Sequence, residues 1–107
     1  MSSPEIAVPL REIPLGRLRS FRIGEREIVV CRTREGVFAL DNVCTHAEAR
    51  MSEGSLRGTR LTCPLHGASF SVTDGAVLGG PAALPLRTHA VQVVGERVEI
   101  SCAALSA

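Results

Sequence analysis

The sequence predicts an all-β domain of short strands with a Gly-rich lobe inserted between them. Residues 27–33, "EIVVCRT", are dense in β-branched side chains, and no 3.6-residue apolar period competes with a strand there. Residues 90–102 alternate apolar and polar positions around a "GE" turn at Gly95 and Glu96. Between these regions, residues 42–81 are punctuated by Gly54, Gly58, Gly67, Gly75, Gly79 and Gly80, which permit only short apolar pieces.

Taken in order, residues 5–10 read as a short first strand. Pro9 and Pro14 limit the helical option and bracket a turn or an edge. Residues 22–24 belong to a strand ending in a turn. Residues 27–33 and 37–40 form a hairpin about the "REG" turn at residues 34–36. In the lobe, residues 59–62 and 70–72 are short apolar pieces. "TDG" at residues 73–75 is a turn before residues 76–78, and "GGPAALP" is an irregular connection. Residues 90–94 and 97–102 close the domain as a terminal hairpin, with Val91, Val93, Val98 and Ile100 available for one core. The tail "AALSA" is expected to fray, and no internal repeat or low-complexity segment is present.

A chain of 107 residues fits one domain, so residues 1–107 are expected to be a single unit with a lobe at about 42–81. A domain of this size buries roughly two thirds of its unfolded surface, and a bound metal would still add to its stability. Its only aromatic residues are three Phe, so the core is expected to be aliphatic. The 12 basic residues are all Arg and are interspersed among 11 acidic ones; Arg22 and Arg26, for example, flank Glu25. This mixed surface lacks the concentrated basic face of a nucleic-acid binder. No apolar run reaches the length of a membrane span, and "MSSPEIAVPL" has neither a basic nor a long apolar region of a secretory signal. A reducing, cytoplasmic setting is therefore expected, with two of the four Cys in a metal-like spacing rather than in disulfides.

That spacing lies in "NVCTHAEARMSEGSLRGTRLTCPLHGASF", where Cys44 and His46 form C-x-H and Cys63 and His66 form C-x-x-H. Thiolate suits zinc and iron, and imidazole is a borderline ligand for both. Turn formers accompany each pair, so the ligands can converge from loops. A zinc ion, a redox cluster and a set of polar core residues are the competing readings. The common zinc finger places two Cys before two His, whereas here each pair mixes the two types, which suits a two-iron site fed by one ligand from each loop per iron.

The stretch resembles the Rieske iron–sulfur family. Cys44, His46, Cys63 and His66 match its signature, and "CTH", "CPLHGASF" and a following "G…P" extend the match through Pro81. The resemblance implies a Rieske-like antiparallel β-sandwich with a small Gly-rich cluster-binding lobe. It also implies a [2Fe–2S] cluster, with Cys44 and Cys63 on one iron and His46 and His66 on the other. Neutral imidazoles in place of two thiolates make an iron easier to reduce. Rieske centres accordingly span about −150 to +300 mV, against about −400 mV for plant-type clusters. The two His are expected at the surface as the exit for one electron.

The high-potential branch of that family carries an extra Cys in each ligand loop, where this chain has Ala49 and Leu65. It also carries Ser and Tyr hydroxyls after the last His, where this chain has Ala68 and Phe70. Fewer donors to sulfur place the expected potential at the low end of the range. Gly67 is read as letting backbone pass close to the cluster, or as a plain turn glycine. Ser69 is read as a hydroxyl donor or a strand-end cap, Pro64 as stiffening the second loop, and Pro81 as closing a third loop. Cys31 and Cys102 read as buried small hydrophobes, and His89 as an ordinary surface or strand histidine. Arg50 and Arg57 read as solvated, with partner orientation as the alternative.

The resemblance is closest to the ferredoxins of aromatic-ring-hydroxylating dioxygenase systems. It implies a monomeric carrier, not an enzyme, that passes single electrons from a flavin-containing NAD(P)H-dependent reductase to a terminal oxygenase. Only His89 remains outside the ligand pairs, so no 2-His-1-carboxylate catalytic site can be assembled. The rival readings are the Rieske-like small subunit of an assimilatory nitrite reductase, a structural zinc-binding interaction module, and a carrier serving some other oxygenase.

Overall fold

The β-branched run at residues 27–33 folds into a strand buried on both faces, and the rest of the architecture is arranged around it. A computed structural model describes residues 4–45, 49–65, 67–80 and 84–102. Their strands are β1 (Ile6–Pro9), β2 (Leu18–Ile23), β3 (Arg26–Thr33), β4 (Gly36–Asp41), β5 (Ser55–Arg57), β6 (Arg60–Thr62), β7 (Ser69–Ser71), β8 (Val77–Gly79), β9 (Thr88–Val94) and β10 (Arg97–Ser101). The only helical pieces among these residues are 3-10 turns at Leu10–Glu12 and Met51–Glu53. A six-stranded sheet runs β1-β10-β9-β4-β3-β2, and a four-stranded sheet runs β5-β6-β7-β8, with every pairing antiparallel. The expected all-β antiparallel fold is what the chain adopts.

Side chains alternate between the faces of a strand, so β3 divides its apolar run between two cores. Ile28 and Val30 join Ile13, Ala39, Val98 and Ile100 in one cluster, against which Ile6, Val8, Phe21 and Val91 pack. Val29 and Cys31 face the other way, with Leu40, Met51, Leu61, Phe70, Val72, Leu86, Cys44 and Cys63. Ile28, Val29, Val30 and Cys31 are all fully buried, which is why this strand reads as a continuous apolar run. The first core lies within the folded six-stranded sheet. The second lies between β3–β4 and the small sheet, and it contains both ligand-type cysteines.

Several elements differ from the sequence expectation. β5 was not anticipated; it pairs with β6 about Gly58, whose φ of +57° suits the tight turn. β2 extends further toward the N-terminus than residues 22–24, as an edge strand whose Arg19, Ser20 and Arg22 point to solvent. In the terminal hairpin, Val98 and Ile100 are buried, but Val93 is 46% exposed. β9 pairs with β4 only at His89 and Thr88, so its outer half runs past β4 and leaves Val93 uncovered. The tail at residues 103–107 lies outside the described residues.

Candidate metal centre

Two loops of similar construction carry the cysteines. In the first, Asn42 O accepts from Met51 N–H at 2.6 Å, Val43 bridges Arg50, and Cys44 N–H donates to Ala49 O at 2.9 Å. In the second, Cys63 N–H donates to Ala68 O at 2.7 Å. Each Cys thus stands where its ladder ends, and both are buried. His46 and His66 lie outside the described residues, as does Pro81.

The two thiols are near enough to interact and are not joined in a disulfide. Burial raises the Cys63 thiol above its ordinary pKa; a hydrogen bond from the Leu65 amide opposes this, and the neighbouring Cys44 adds to it. Gly67 has φ +74°, and a Cβ there would meet nothing within 4 Å, so its backbone conformation is what favours glycine. Gly80 is more constrained: φ is +83°, and a Cβ would lie 2.6 Å from Ala68 Cα. The chain on one side of residues 81–83 therefore presses on the second loop. On the other side, Leu84 O accepts from Thr45 Oγ1 at 2.7 Å, which ties it to the first loop.

The surroundings supply carbon where hydroxyls were at issue. Ala68 and Phe70 are fully buried and Ala49 nearly so. Ser69 is buried too, but its hydroxyl accepts from Arg60 Nη1 at 2.6 Å across the small sheet, so neither role expected for it describes its main contact. Val43, Leu65 and Leu84 are 50%, 47% and 64% exposed, an apolar rim around the loops. Beside them a groove of about 560 Å³ is lined by Val43, Ala49, Pro64 and Leu65, with Glu27, Arg50 and Glu53 at its charged side.

A Rieske [2Fe–2S] domain model matches residues 4–94. The chain belongs to the Rieske [2Fe–2S] domain family. It is 38% identical over 94 residues to the ferredoxin component of the naphthalene 1,2-dioxygenase system of Pseudomonas aeruginosa, covering 88% of this chain and 90% of that one. The fold is similar to that of the ferredoxin of carbazole 1,9a-dioxygenase from Nocardioides aromaticivorans IC177, with TM-score 0.89, 31% identity, and coverage of 95% of this chain and 100% of that chain. A second match, also 31% identical, is to a complex of reduced oxygenase and oxidized ferredoxin in carbazole 1,9a-dioxygenase; its TM-score is 0.82 and it covers 87% of this chain and 96% of that chain.

The residues present suit the cluster of a Rieske domain. Two convergent soft donors are buried against apolar side chains, where paired thiolates would be unfavourable without a cation, and iron–sulfur clusters are held by Cys thiolates. The other titratable residues singled out in the sequence have structural surroundings. Cys31 is fully buried, which pushes its thiol up to about 12. Cys102 is only partly buried; burial raises its thiol, and its amide donates to Glu5 Oε1 at 2.7 Å. His89 lies in β9 but is buried instead of surface-exposed, with Nε2 2.7 Å from Asp41 Oδ1.

Arg50 Nε donates to Glu27 Oε1 at 2.9 Å, and this hydrogen bond holds the Glu27 carboxyl below its ordinary range. Arg50 is thus partnered within the chain, while Arg57 is exposed at the end of β5. Sequence reasoning missed Asn42, which is fully buried beneath the first loop. Its one signal was a strongly polar residue two positions before the C-x-H pair. Among the described residues, no helix is long and apolar enough to cross a membrane.

Proposed function

We propose that this Rieske ferredoxin carries single electrons from a flavin-containing NAD(P)H-dependent reductase to the terminal oxygenase of an aromatic-ring-hydroxylating system. The observation that carries the proposal is the convergence of the Cys44 and Cys63 loops under the exposed rim of Val43, Leu65 and Leu84. Cys44 and Cys63 would hold one iron of the [2Fe–2S] cluster, and His46 and His66 the other. When bound, the cluster takes up and releases one electron. Met51, Leu61, Phe70 and Val72 pack in the same core as the two Cys and exclude water from the thiolate side. The rim offers apolar area for a partner to cover on docking, and a similar ferredoxin is known in complex with an oxygenase.

Residues 1–107 are read as one domain with a cluster-binding lobe at about 42–81, and the carrier as a cytoplasmic monomer. The unlinked thiols of Cys31 and Cys102 suit a reducing compartment. Carbon at Ala68 and Phe70 in place of hydroxyl donors supports a potential at the low end of the Rieske range.

Anaerobically purified protein is expected to contain iron and acid-labile sulfide in equal amounts. Dithionite should produce the paramagnetic signal of a mixed Cys/His cluster, and Cys63→Ser should abolish it. His66→Cys should lower the potential or lose the cluster. Zinc without sulfide would overturn the reading, as would a reduced cluster that an aromatic-ring dioxygenase component cannot reoxidise.

A further inference from the structure

The first ligand loop is closed at its foot by one buried side chain. Asn42 is fully buried, and four hydrogen bonds from it join both ends of the loop to β3. Its N–H donates to Glu27 O at 2.9 Å, and its O accepts from Met51 N–H at 2.6 Å. Its Oδ1 accepts from Ser52 N–H at 2.8 Å, and its Nδ2 donates to Glu27 Oε1 at a long 3.4 Å. The same Glu27 oxygen accepts from Arg50 Nε at 2.9 Å, on the returning limb of the loop. Both limbs are therefore fastened to one carboxylate and one carboxamide, directly below the ladder that ends at Cys44 and Ala49.

An amide side chain meets these demands. The site needs an acceptor for the Ser52 amide and a donor toward Glu27 on the same short side chain. A carboxylate lacks the donor and an aliphatic residue lacks both. A buried group left unpaired here would loosen the limb that it no longer holds.

We propose that Asn42, acting with Glu27, is a positioning residue for the Rieske cluster: it sets the first ligand loop and thereby the retention and potential of the cluster. This rests on the electron-carrier reading, because the loop is assigned there as the source of Cys44 and His46. The groove beside the loop shares Glu27 and Arg50 with the latch.

The test uses cluster-containing protein. Asn42→Ala and Asn42→Asp are expected to release iron to a chelator about ten- to hundredfold faster than the unsubstituted chain, and to shift its midpoint potential and reduced-state paramagnetic spectrum. Asn42→Asp keeps the acceptor for Ser52 but sets a second carboxylate against Glu27. The double variant N42D/E27Q restores a donor and an acceptor across that gap, and should recover most of the retention lost in N42D. A lowered melting temperature with unchanged release, potential and spectrum would assign Asn42 a merely structural part and overturn the proposal, as would a double variant no better than N42D. Should Asn42→Ala not fold, Glu27→Ala alone decides, because it removes the oxygen that both Asn42 and Arg50 share: faster release supports the latch, and an unchanged rate sinks it. Absence of a cluster from the unsubstituted protein would instead defeat the functional reading itself, so the two failures are distinguishable.

Discussion

Cys31 and Cys63 are both buried, yet their surroundings give the same side chain opposite uses. Cys31 lies on β3 among Val29, Leu40 and Phe38, and burial alone raises its thiol from the ordinary value of about 8.5 to about 12. It therefore packs as a small neutral hydrophobe. Cys63 has a second thiol beside it and an amide aimed at its sulfur, an arrangement suited to a cation. Cys31→Ser is expected to leave the cluster spectrum intact while losing about 1–3 kcal/mol of stability, read by denaturant unfolding, because a hydroxyl replaces a thiol in an apolar site. The raised thiol also fixes a sign. The folded state retains a proton that the unfolded chain gives up, so stability is fully present below about 8.5 and declines as pH rises toward about 12. Cys31→Ser should flatten that alkaline decline in unfolding curves taken across the interval, and an equal slope in both proteins would show that Cys31 is not its source.

At the scale of elements, the small sheet holds its loops through close backbone approach. β8 runs directly into Gly80, whose positive φ and contact with Ala68 leave no room for a side chain. Its neighbour Gly79 differs, since a Cβ there would make an ordinary 3.5 Å contact with Ser69 Oγ. Gly80→Ala should lower the melting temperature and speed cluster release, because left-handed backbone is unfavourable for Ala by about 1–2 kcal/mol before the clash is counted. Gly79→Ala should change both by much less. Equal effects of the two substitutions would show that β8 and its exit are not seated as described. The Arg60–Ser69 hydrogen bond links β6 to β7 in the same sheet and explains a buried serine that has no need to face the cluster.

Across the whole molecule, the two cores differ in what completes them. The fully buried members of the core of Ile28, Val30, Ala39, Val98 and Ile100 are hydrocarbon side chains, with the Cys102 thiol packed at its edge. The core of Leu40, Met51, Leu61 and Phe70 includes Cys44 and Cys63, which the proposed function makes ligands, so on that reading cluster binding is linked to folding of that half. Removal of iron with a chelator should therefore be felt unevenly. Amide exchange is expected to rise by about tenfold or more in the ligand loops and in β5–β8, with far smaller changes in β1, β9 and β10. A uniform rise across all strands would mean that the two cores unfold as one unit.

Much of this organisation was legible along the chain, because its causes are local. The C-x-H and C-x-x-H spacing, the β-branched run of β3, and the turns about residues 34–36, 73–75 and 95–96 each depend on a few adjacent residues. Family membership followed from the same stretch. Tertiary structure decided what distant residues share. β3 proved to serve two cores because sheets cover both of its faces, and Val93 proved exposed because β4 ends its pairing with β9 too early. The buried His89 found its partner in Asp41, which is 48 positions away, and Asn42 became the foot of a loop through Glu27, which is 15 away. Ligand type and strand period are properties of a segment. Burial and the satisfaction of buried polar groups belong to pairs that only the folded chain brings together.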